Sequence, residues 1–275
     1  MAADAPLGCP CAGRHMSVAW TYTAPPEGET RFAALEGVAY RREVRRCDAC
    51  DHFTSRPPLD PDDLYREGYV DATYGQGGIE ASFRRIMELP PERSDNRQRV
   101  ERVLRFMDRR PDAERRALDI GSGLGVFPAA LAGRGWRCRA VDPDPRAAAH
   151  ADGLEGVEGV CADVMDLAPR ADHALVSLNK VIEHVDDPVA LMARGAGFLA
   201  PGGTMYVEVP DGPGAASDGP GREEFFVEHL HVFSAASLAM AARRAGLDTV
   251  EVHRLREPSG KHTIAAFLEP VGGDA

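Results

Sequence analysis

Residues 116–127 have the sequence RALDIGSGLGVF, in which a short apolar run leads into a loop with glycine at every second position. An alanine-rich apolar segment, Val126 to Ala132, follows at once. The pattern predicts a β-strand, a tight turn and an α-helix. Glycine has no Cβ, so a ligand can come close to the backbone of the turn, and the helix N-terminus beyond it offers free N–H groups. An ordinary strand–helix turn has the same pattern, so this stretch does not identify a binding site by itself.

Acidic residues stand at the ends of three successive predicted strands. Asp119 closes the first strand, Asp142 the second and Asp163 the third. A carboxylate at the end of the second strand is where nucleotide-binding folds hold a ribose diol. Three carboxylates repel a pyrophosphate, so the pattern favours a ligand that carries an amine, a ribose and an adenine.

These motifs together resemble the class I S-adenosylmethionine (SAM)-dependent methyltransferases over about residues 95–268. The resemblance implies that the glycines of the loop line the methionine part of SAM and that Asp119 lies near its amino group. It also implies that Asp142 holds the ribose hydroxyls and that Asp163 faces the adenine amine. Asn179, after the fourth strand, is placed beside the cofactor and the substrate. The glycines concerned are Gly121, Gly123 and Gly125.

Helical segments alternate with further strands predicted at 137–141, 157–161, 174–178 and 204–209. This alternation indicates an α/β fold with a parallel, doubly wound sheet that binds ligands at the carboxyl ends of its strands. We expect a Rossmann-like sheet of seven strands, and the resemblance implies that the last strand is antiparallel. We assign residues 1–58 to a small zinc-ribbon-like module, 59–93 to a helical connector or lid, and 94–270 to the methyltransferase domain.

Four cysteines form two close pairs near the N-terminus. Two close pairs in a cytoplasmic chain favour a metal over disulfides, and four thiolates would close a structural Zn²⁺ site. The first pair is spaced Cys-x-Cys, tighter than the usual Cys-x₂-Cys, so His15 or His52 is an alternative ligand. Reduced cysteines without a metal are the other interpretation. The pairs are Cys9 with Cys11 and Cys47 with Cys50.

Two ionisable stretches are candidates for the chemistry of methyl transfer. Glu183 and His184 follow the fourth strand, where they could orient a substrate, or His184 could cap the following helix. Glu228 and His229 lie close to apolar Phe226, and burial among apolar residues shifts pKa values. A histidine with a pKa near neutral can take a proton from a hydroxyl, an amine or a carbon acid. We predict that His229 is the base and that Glu228 orients it; purely structural hydrogen bonding is the alternative.

The second stretch and the cysteine module are together similar to bacterial sugar C-methyltransferases. The matching residues of the stretch are Glu228, His229, Phe233 and Ser234. Tyr74, in an aromatic, glycine-rich segment that could act as a lid, resembles the N-terminal active-site tyrosine of that group. Phe226 stands where the group has a tyrosine, so transfer to oxygen or nitrogen remains open beside transfer to carbon.

The composition argues against several other classes of protein. A formal net charge of −11 opposes nucleic-acid binding. No apolar run approaches the roughly 18 residues of a membrane span. The first ten residues lack the pattern of an export signal, so we expect a cytoplasmic protein with no membrane partner.

We therefore predict a SAM-dependent methyltransferase with a structural Zn²⁺ ion. Its acceptor would be a small molecule: a sugar, a sugar nucleotide or a specialised metabolite. A zinc-ribbon RNA methyltransferase, a nucleotide-binding dehydrogenase and a non-catalytic SAM-binding protein are the alternatives. The oligomeric state and the methylated atom are left open by the sequence.

Overall fold

The structure is a computed structural model that describes residues 7–13, 15–32, 35, 37–57, 78–110 and 114–272. Tyr74 lies outside the described residues, as does most of the predicted connector. The strands are β1 (Met16–Tyr22), β2 (Arg42–Cys47), β3 (Phe53–Ser55), β4 (Arg116–Ile120), β5 (Arg137–Asp142), β6 (Val157–Cys161), β7 (His173–Asn179), β8 (Leu199–Pro210), β9 (His231–Val232), β10 (Leu247–Arg256) and β11 (His262–Pro270).

Seven helices are described, three of them preceded or followed by short 3₁₀ turns. The helices are α1 (Gly78–Met87), α2 (Asp95–Met107), α3 (Val126–Ala132), α4 (Pro145–Asp152), α5 (Pro188–Ala196), α6 (Gly212–Ser217) and α7 (Ala235–Arg244). The 3₁₀ turns are Pro91–Arg93, Ile182–His184 and Glu223–Phe225. Side chains set several helix starts: Ser94 accepts a hydrogen bond from Arg97 N, and Ser234 and Ser237 form a capping box.

A seven-stranded sheet has the order β10-β11-β8-β7-β4-β5-β6. Strands β4 to β8 are parallel, and β11 is antiparallel to both of its neighbours. The predicted Rossmann-like sheet with an antiparallel last strand is confirmed. β7 is buried along almost its whole length, as expected for a central parallel strand covered on both faces.

Helices cover both faces of this sheet. Successive residues of a strand point to opposite faces, so Ala117 packs into one apolar core and Leu118 into the other. The first core holds residues of α2, α3 and α4, and the second holds residues of α5 and α7. These two layers fix the carboxyl ends of the strands, where the predicted ligand-binding residues lie.

A second, antiparallel sheet has the order β1-β2-β3-β9. Its first three strands come from the N-terminal cysteine segment, and its fourth comes from the chain between β8 and α7. Phe53 pairs with Val232 and Thr54 with His231. The cysteine segment is therefore joined by backbone hydrogen bonds to the part of the chain that forms the seven-stranded sheet, directly beyond Glu228 and His229.

Candidate active site

The glycine turn after β4 has a backbone that only glycine adopts easily. Gly121, Gly123 and Gly125 have φ angles of 69°, 50° and 69°. A Cβ at Gly121 would lie 2.8 Å from Cγ2 of Val181, so a side chain there would displace its neighbour. The turn leaves the N-terminus of α3 open at the end of β4, as the sequence predicts.

Asp142 closes the turn from the neighbouring strand β5. Its Oδ2 accepts a hydrogen bond from Gly123 N at 2.8 Å, and its Oδ1 accepts one from Asp144 N at 2.9 Å. Burial raises the pKa of Asp142. The carboxylate is thus fixed at the edge where the glycine turn and β5 meet, which suits a contact with ribose hydroxyls.

Asp119 lies at the other side of the turn, between β4 and β7. Its Oδ1 accepts hydrogen bonds from Ser177 Oγ at 2.6 Å and from Asn179 Nδ2 at 2.9 Å. Burial raises the pKa of Asp119 to about 6, against the lowering effect of these two hydrogen bonds. A cationic group beside this carboxyl group would favour its ionised form.

Asp163 lies two residues beyond β6 and is exposed. Its Oδ1 accepts a hydrogen bond from Met165 N at 2.8 Å. The glycine turn, Asp119, Asn179, Asp142 and Asp163 therefore lie at or just beyond the carboxyl ends of four parallel strands of the sheet, at one edge. We call this group the cofactor crevice.

A Glu–His–His cluster lies next to the end of β7. Glu183, His184 and His229 each place one potential ligand atom within 4.8 Å of the other two, and the two imidazole rings are 4.9 Å apart between centroids. Glu183 and His184 come from the 3₁₀ turn after β7, and His229 comes from the segment before β9. The structure thus brings together the two candidate stretches of the sequence.

Backbone carbonyl groups fix both histidine rings. His184 Nδ1 donates to Glu228 O at 2.9 Å, and His229 Nδ1 donates to Glu224 O at 2.9 Å. Because a carbonyl oxygen only accepts, the proton of each neutral ring is on Nδ1 and the lone pair is on Nε2. The carbonyl group that orients His229 therefore belongs to Glu224 and not to Glu228. The carbonyl group of Glu228 accepts the hydrogen bond from His184 instead.

Burial sets the protonation of the cluster. It holds the pKa of His229 well below its usual value, with a further lowering by His184, and it also lowers the pKa of His184. Burial raises the pKa of Glu183 to about 7 and raises that of Glu228. Both rings are therefore neutral near pH 7, and Nε2 of His229 is able to accept a proton.

A buried charge network behind the cluster was missed by the sequence analysis. Glu208, on β8, accepts hydrogen bonds from Arg99 Nε and Arg102 Nη1, each at 2.7 Å. Burial opposes ionisation of Glu208, but Arg99, Lys180 and Arg102 outweigh it and lower its pKa to about 2. These partners are distant in sequence, and the only signal was an arginine repeated three positions apart on α2.

A second buried ion pair, the Arg42–Glu29 clamp, holds the segment that carries His229. Arg42 Nη2 lies 3.1 Å from Glu29 Oε1, and the two side chains are 0% and 1% exposed. Arg42 Nη2 also donates to Phe225 O at 2.8 Å, and Glu29 Oε1 accepts from Val227 N at 2.8 Å. The clamp therefore binds the backbone on both sides of Phe226, a few residues before His229. Nothing in the sequence analysis pointed to it.

The four N-terminal cysteines meet in one cluster. Their sulfur atoms lie 3.2 Å apart for Cys9–Cys11 and Cys9–Cys50 and 3.5 Å apart for Cys11–Cys47. These distances exclude a disulfide bond of about 2.05 Å and are close to the roughly 3.8 Å between thiolates around tetrahedral Zn²⁺. Gly13 N donates to Cys11 Sγ at 3.2 Å, a hydrogen bond that suits a thiolate. The donor set fits one zinc ion.

The histidines considered as alternative ligands are not members of the cysteine cluster. His52 is buried between α7 and β9, with Nδ1 3.1 Å from Ser237 Oγ and Nε2 3.0 Å from His231 Nδ1. Ser234 Oγ donates to Cys50 O. The cysteine cluster is thus attached to the start of α7, next to the segment that carries His229.

The strand order, the glycine turn and the carboxylates at its edge define a class I SAM-dependent methyltransferase fold. A family model described as a methyltransferase domain matches residues 92–252, more than half of the 275 residues. The chain belongs to this methyltransferase family.

Curated relatives match a shorter part of the chain. A ubiquinone biosynthesis O-methyltransferase of Marinobacter nauticus is 34% identical over 116 residues, which is 38% of this chain and 48% of the relative. The enzyme of the same name from Burkholderia ambifaria is 28% identical over 156 residues, 54% of this chain and 62% of the relative. The chain spans about half the length of the curated relatives it matches.

Solved structures share the fold at low sequence identity. A Burkholderia thailandensis 1,6-didemethyltoxoflavin-N1-methyltransferase, bound to 1,6-didemethyltoxoflavin and S-adenosylhomocysteine, has a TM-score of 0.56 and 22% identity, covering 83% of this chain and 95% of that one. The methyltransferase in a complex with the Haloferax volcanii Trm112 activator has a TM-score of 0.54 and 18% identity, covering 72% and 96%. These similarities concern the fold. Within the described ranges, no helix is long and apolar enough to cross a membrane.

Proposed function

We propose that this protein transfers the methyl group of SAM to an oxygen atom of a small molecule, with His229 as the base. The observation that carries the proposal is the position of a neutral, carbonyl-anchored His229 beside the end of β7, next to the cofactor crevice. The curated relatives are O-methyltransferases, which favours a hydroxyl group over an amine or a carbon acid.

The residues of the crevice fit SAM. Asp119 would take its ammonium group, Asp142 its ribose hydroxyls, and Asp163 would lie at the adenine end. Asn179 holds Asp119 in place by a hydrogen bond and closes β7, the strand after which Glu183 and His184 follow. SAM, when bound, supplies a methyl group that its sulfonium charge already activates.

His229 and the cluster around it would align the acceptor and remove its proton. As the acceptor oxygen bonds to the methyl carbon and the carbon–sulfur bond breaks, Nε2 of His229 takes the hydroxyl proton. Burial lowers the pKa of His229, which keeps Nε2 unprotonated and free to contact the acceptor hydroxyl at neutral pH. Glu228 and His184 support this side of the site, and Tyr74 stays a candidate for substrate contact.

We also propose that Cys9, Cys11, Cys47 and Cys50 hold a structural Zn²⁺ ion. Four buried or half-buried sulfur atoms with near-tetrahedral spacing support this assignment. Metal analysis of the purified protein is expected to give about one zinc per chain that resists mild chelation. Zinc-free protein with an unchanged fold and stability would contradict it.

The acceptor class is tested by mass spectrometry of reactions with SAM and a panel of acceptors. The panel contains nucleotide sugars, free sugars, phenols and matched amines. We expect S-adenosylhomocysteine and a product 14 Da heavier than its acceptor for a hydroxyl compound. Methylation of amines alone would contradict transfer to oxygen, and binding of SAM without any product would favour a non-catalytic role.

A further inference from the structure

The Glu–His–His cluster contains a buried carboxylate that its surroundings do not satisfy. Glu183 is 0% exposed, and neither of its carboxylate oxygens accepts a hydrogen bond from another residue in the described part of the chain. A buried carboxyl group normally has such partners, because its desolvation is costly without them. One of its oxygens lies within 4.8 Å of a ring nitrogen of His184 and of His229.

The two histidines are oriented as metal-binding histidines usually are. Each donates its Nδ1 proton to a backbone carbonyl group, that of Glu228 for His184 and that of Glu224 for His229. Such a hydrogen bond fixes the tautomer in which Nε2 carries the lone pair, and it makes that nitrogen a better ligand. Two imidazole nitrogens and one carboxylate oxygen form a donor set that first-row transition cations prefer.

We propose that Glu183, His184 and His229 bind a divalent transition cation such as Zn²⁺, and that this cation inhibits methyl transfer. The binding site stands on the geometry of the three side chains alone. The inhibition rests on the proposed function, because the cation would occupy Nε2 of His229, the atom that is to accept the proton. Mg²⁺ and Ca²⁺ are disfavoured, since they prefer oxygen ligands.

The three donor atoms would have to move only a short distance to bind a cation. Zinc–nitrogen and zinc–oxygen bonds of about 2.1 Å bring donor atoms to roughly 3.3 Å from one another, so each donor has to move inward by about 1 Å. The cluster is also near charges of both signs. Lys180 and Lys261 interact electrostatically with Glu183, Glu228 interacts with His184, and Lys180 is balanced by Glu208.

Titration with Co²⁺ tests the site without relying on activity. The purified protein, with its cysteine cluster filled, is titrated while visible absorption and bound metal are measured. We expect one Co²⁺ per chain beyond the cysteine metal, with weak visible bands and without the near-ultraviolet charge-transfer band of a thiolate ligand. Zn²⁺ should displace this Co²⁺, and it should reduce turnover at least tenfold in a way that a chelator reverses.

Two variants locate the site. E183Q removes the anionic ligand and should weaken Co²⁺ binding at least tenfold, and H184Q should do the same. E228Q is the matched control, because it neutralises a buried carboxyl group beside the cluster that lies outside the donor set; it should bind Co²⁺ as the wild type does. SAM binding by calorimetry shows whether each variant is folded.

The outcomes separate this inference from the proposed function. Absence of Co²⁺ beyond the cysteine metal, or unchanged binding in both E183Q and H184Q, overturns the site. Binding that leaves turnover unchanged or raises it overturns the inhibition. If His229→Ala keeps full turnover while Co²⁺ still binds the wild type, the proposed base is wrong and the metal site stands.

Discussion

The cofactor crevice and the Glu–His–His cluster beside it are assembled in different ways. The cofactor side comes mainly from residues 116–142, where one strand, one turn and the next strand bring the glycines, Asp119 and Asp142 together. The proposed acceptor side combines the 3₁₀ turn after β7, the segment before β9 and the Arg42–Glu29 clamp. A site built from neighbouring residues is set by local structure, whereas a site built from distant segments depends on tertiary packing and on buried charge.

Replacement of His229 is the strongest test of whether the cofactor side and the acceptor side act separately. We expect His229→Ala to reduce turnover by roughly 10²–10⁴-fold, the usual contribution of a general base. The dissociation constant of SAM should remain normal, because His229 lies outside the cofactor crevice. Steady-state kinetics and calorimetry measure the two effects. His253→Ala, on the edge strand β10, is the control and should keep both; normal turnover in His229→Ala would remove His229 from the mechanism.

Breaking the clamp should affect the whole acceptor side. Arg42→Met leaves the carboxylate of Glu29 buried without its ionic partner, which typically costs about 3–5 kcal/mol of unfolding free energy. Denaturant unfolding measures this loss. The control is Arg41→Met. The Arg41 side chain is 74% exposed and its ion pair with Glu43 is long, at 3.9 Å, so the substitution should change the free energy of unfolding by less than about 0.5 kcal/mol. Equal losses of unfolding free energy for the two substitutions would show that the clamp does not stabilise the fold.

On the cofactor side, Asp142→Ala should weaken SAM binding by roughly 10–100-fold. This range corresponds to about 1.5–3 kcal/mol for hydrogen bonds to a charged group. Asp144→Ala is the matched control, because the side chain of Asp144 caps α4 while its backbone N–H still donates to Asp142. Calorimetric titration with SAM compares them. A normal dissociation constant for Asp142→Ala would refute the ribose contact.

The smallest expected effect is a dependence of SAM binding on pH. Burial raises the pKa of Asp119 to about 6, so the carboxyl group of the free protein is ionised above this pH and protonated below it. An ammonium group binds the ionised form, so affinity should be constant above pH 7 and fall about tenfold by pH 5. Asp119→Asn should abolish this dependence, and a flat profile in the wild type would place the ammonium group elsewhere.

The sequence predicted the local structure around the glycine turn well, for a physical reason. The glycine turn, Asp119 and Asp142 follow from a strand–turn–helix pattern in which positions near in sequence are also near in space. The topology, including the antiparallel β11, is confirmed by the structure. The roles of these residues in binding SAM stay predictions.

Long-range contacts set the limit of that prediction. Glu208 lies 109 positions from Arg99, and Arg42 lies 183 positions from Phe225, so no local pattern connects them. His229 was recognised as a candidate from its apolar neighbours, and His184 from its position after the fourth strand. The hydrogen-bond partners of these two rings were not predicted, because each ring is held by a backbone carbonyl group, and every residue has one.

The pairing of β3 with β9 has a consequence for how the chain acquires its structure. Phe53 is synthesised long before its partner Val232, so one edge of β3 stays unpaired while the residues between them are synthesised. Contacts between such distant positions form slowly, because a long loop must close first. The segment before β9 should therefore become ordered late during biosynthesis, and an incomplete chain exposes a strand edge that favours aggregation.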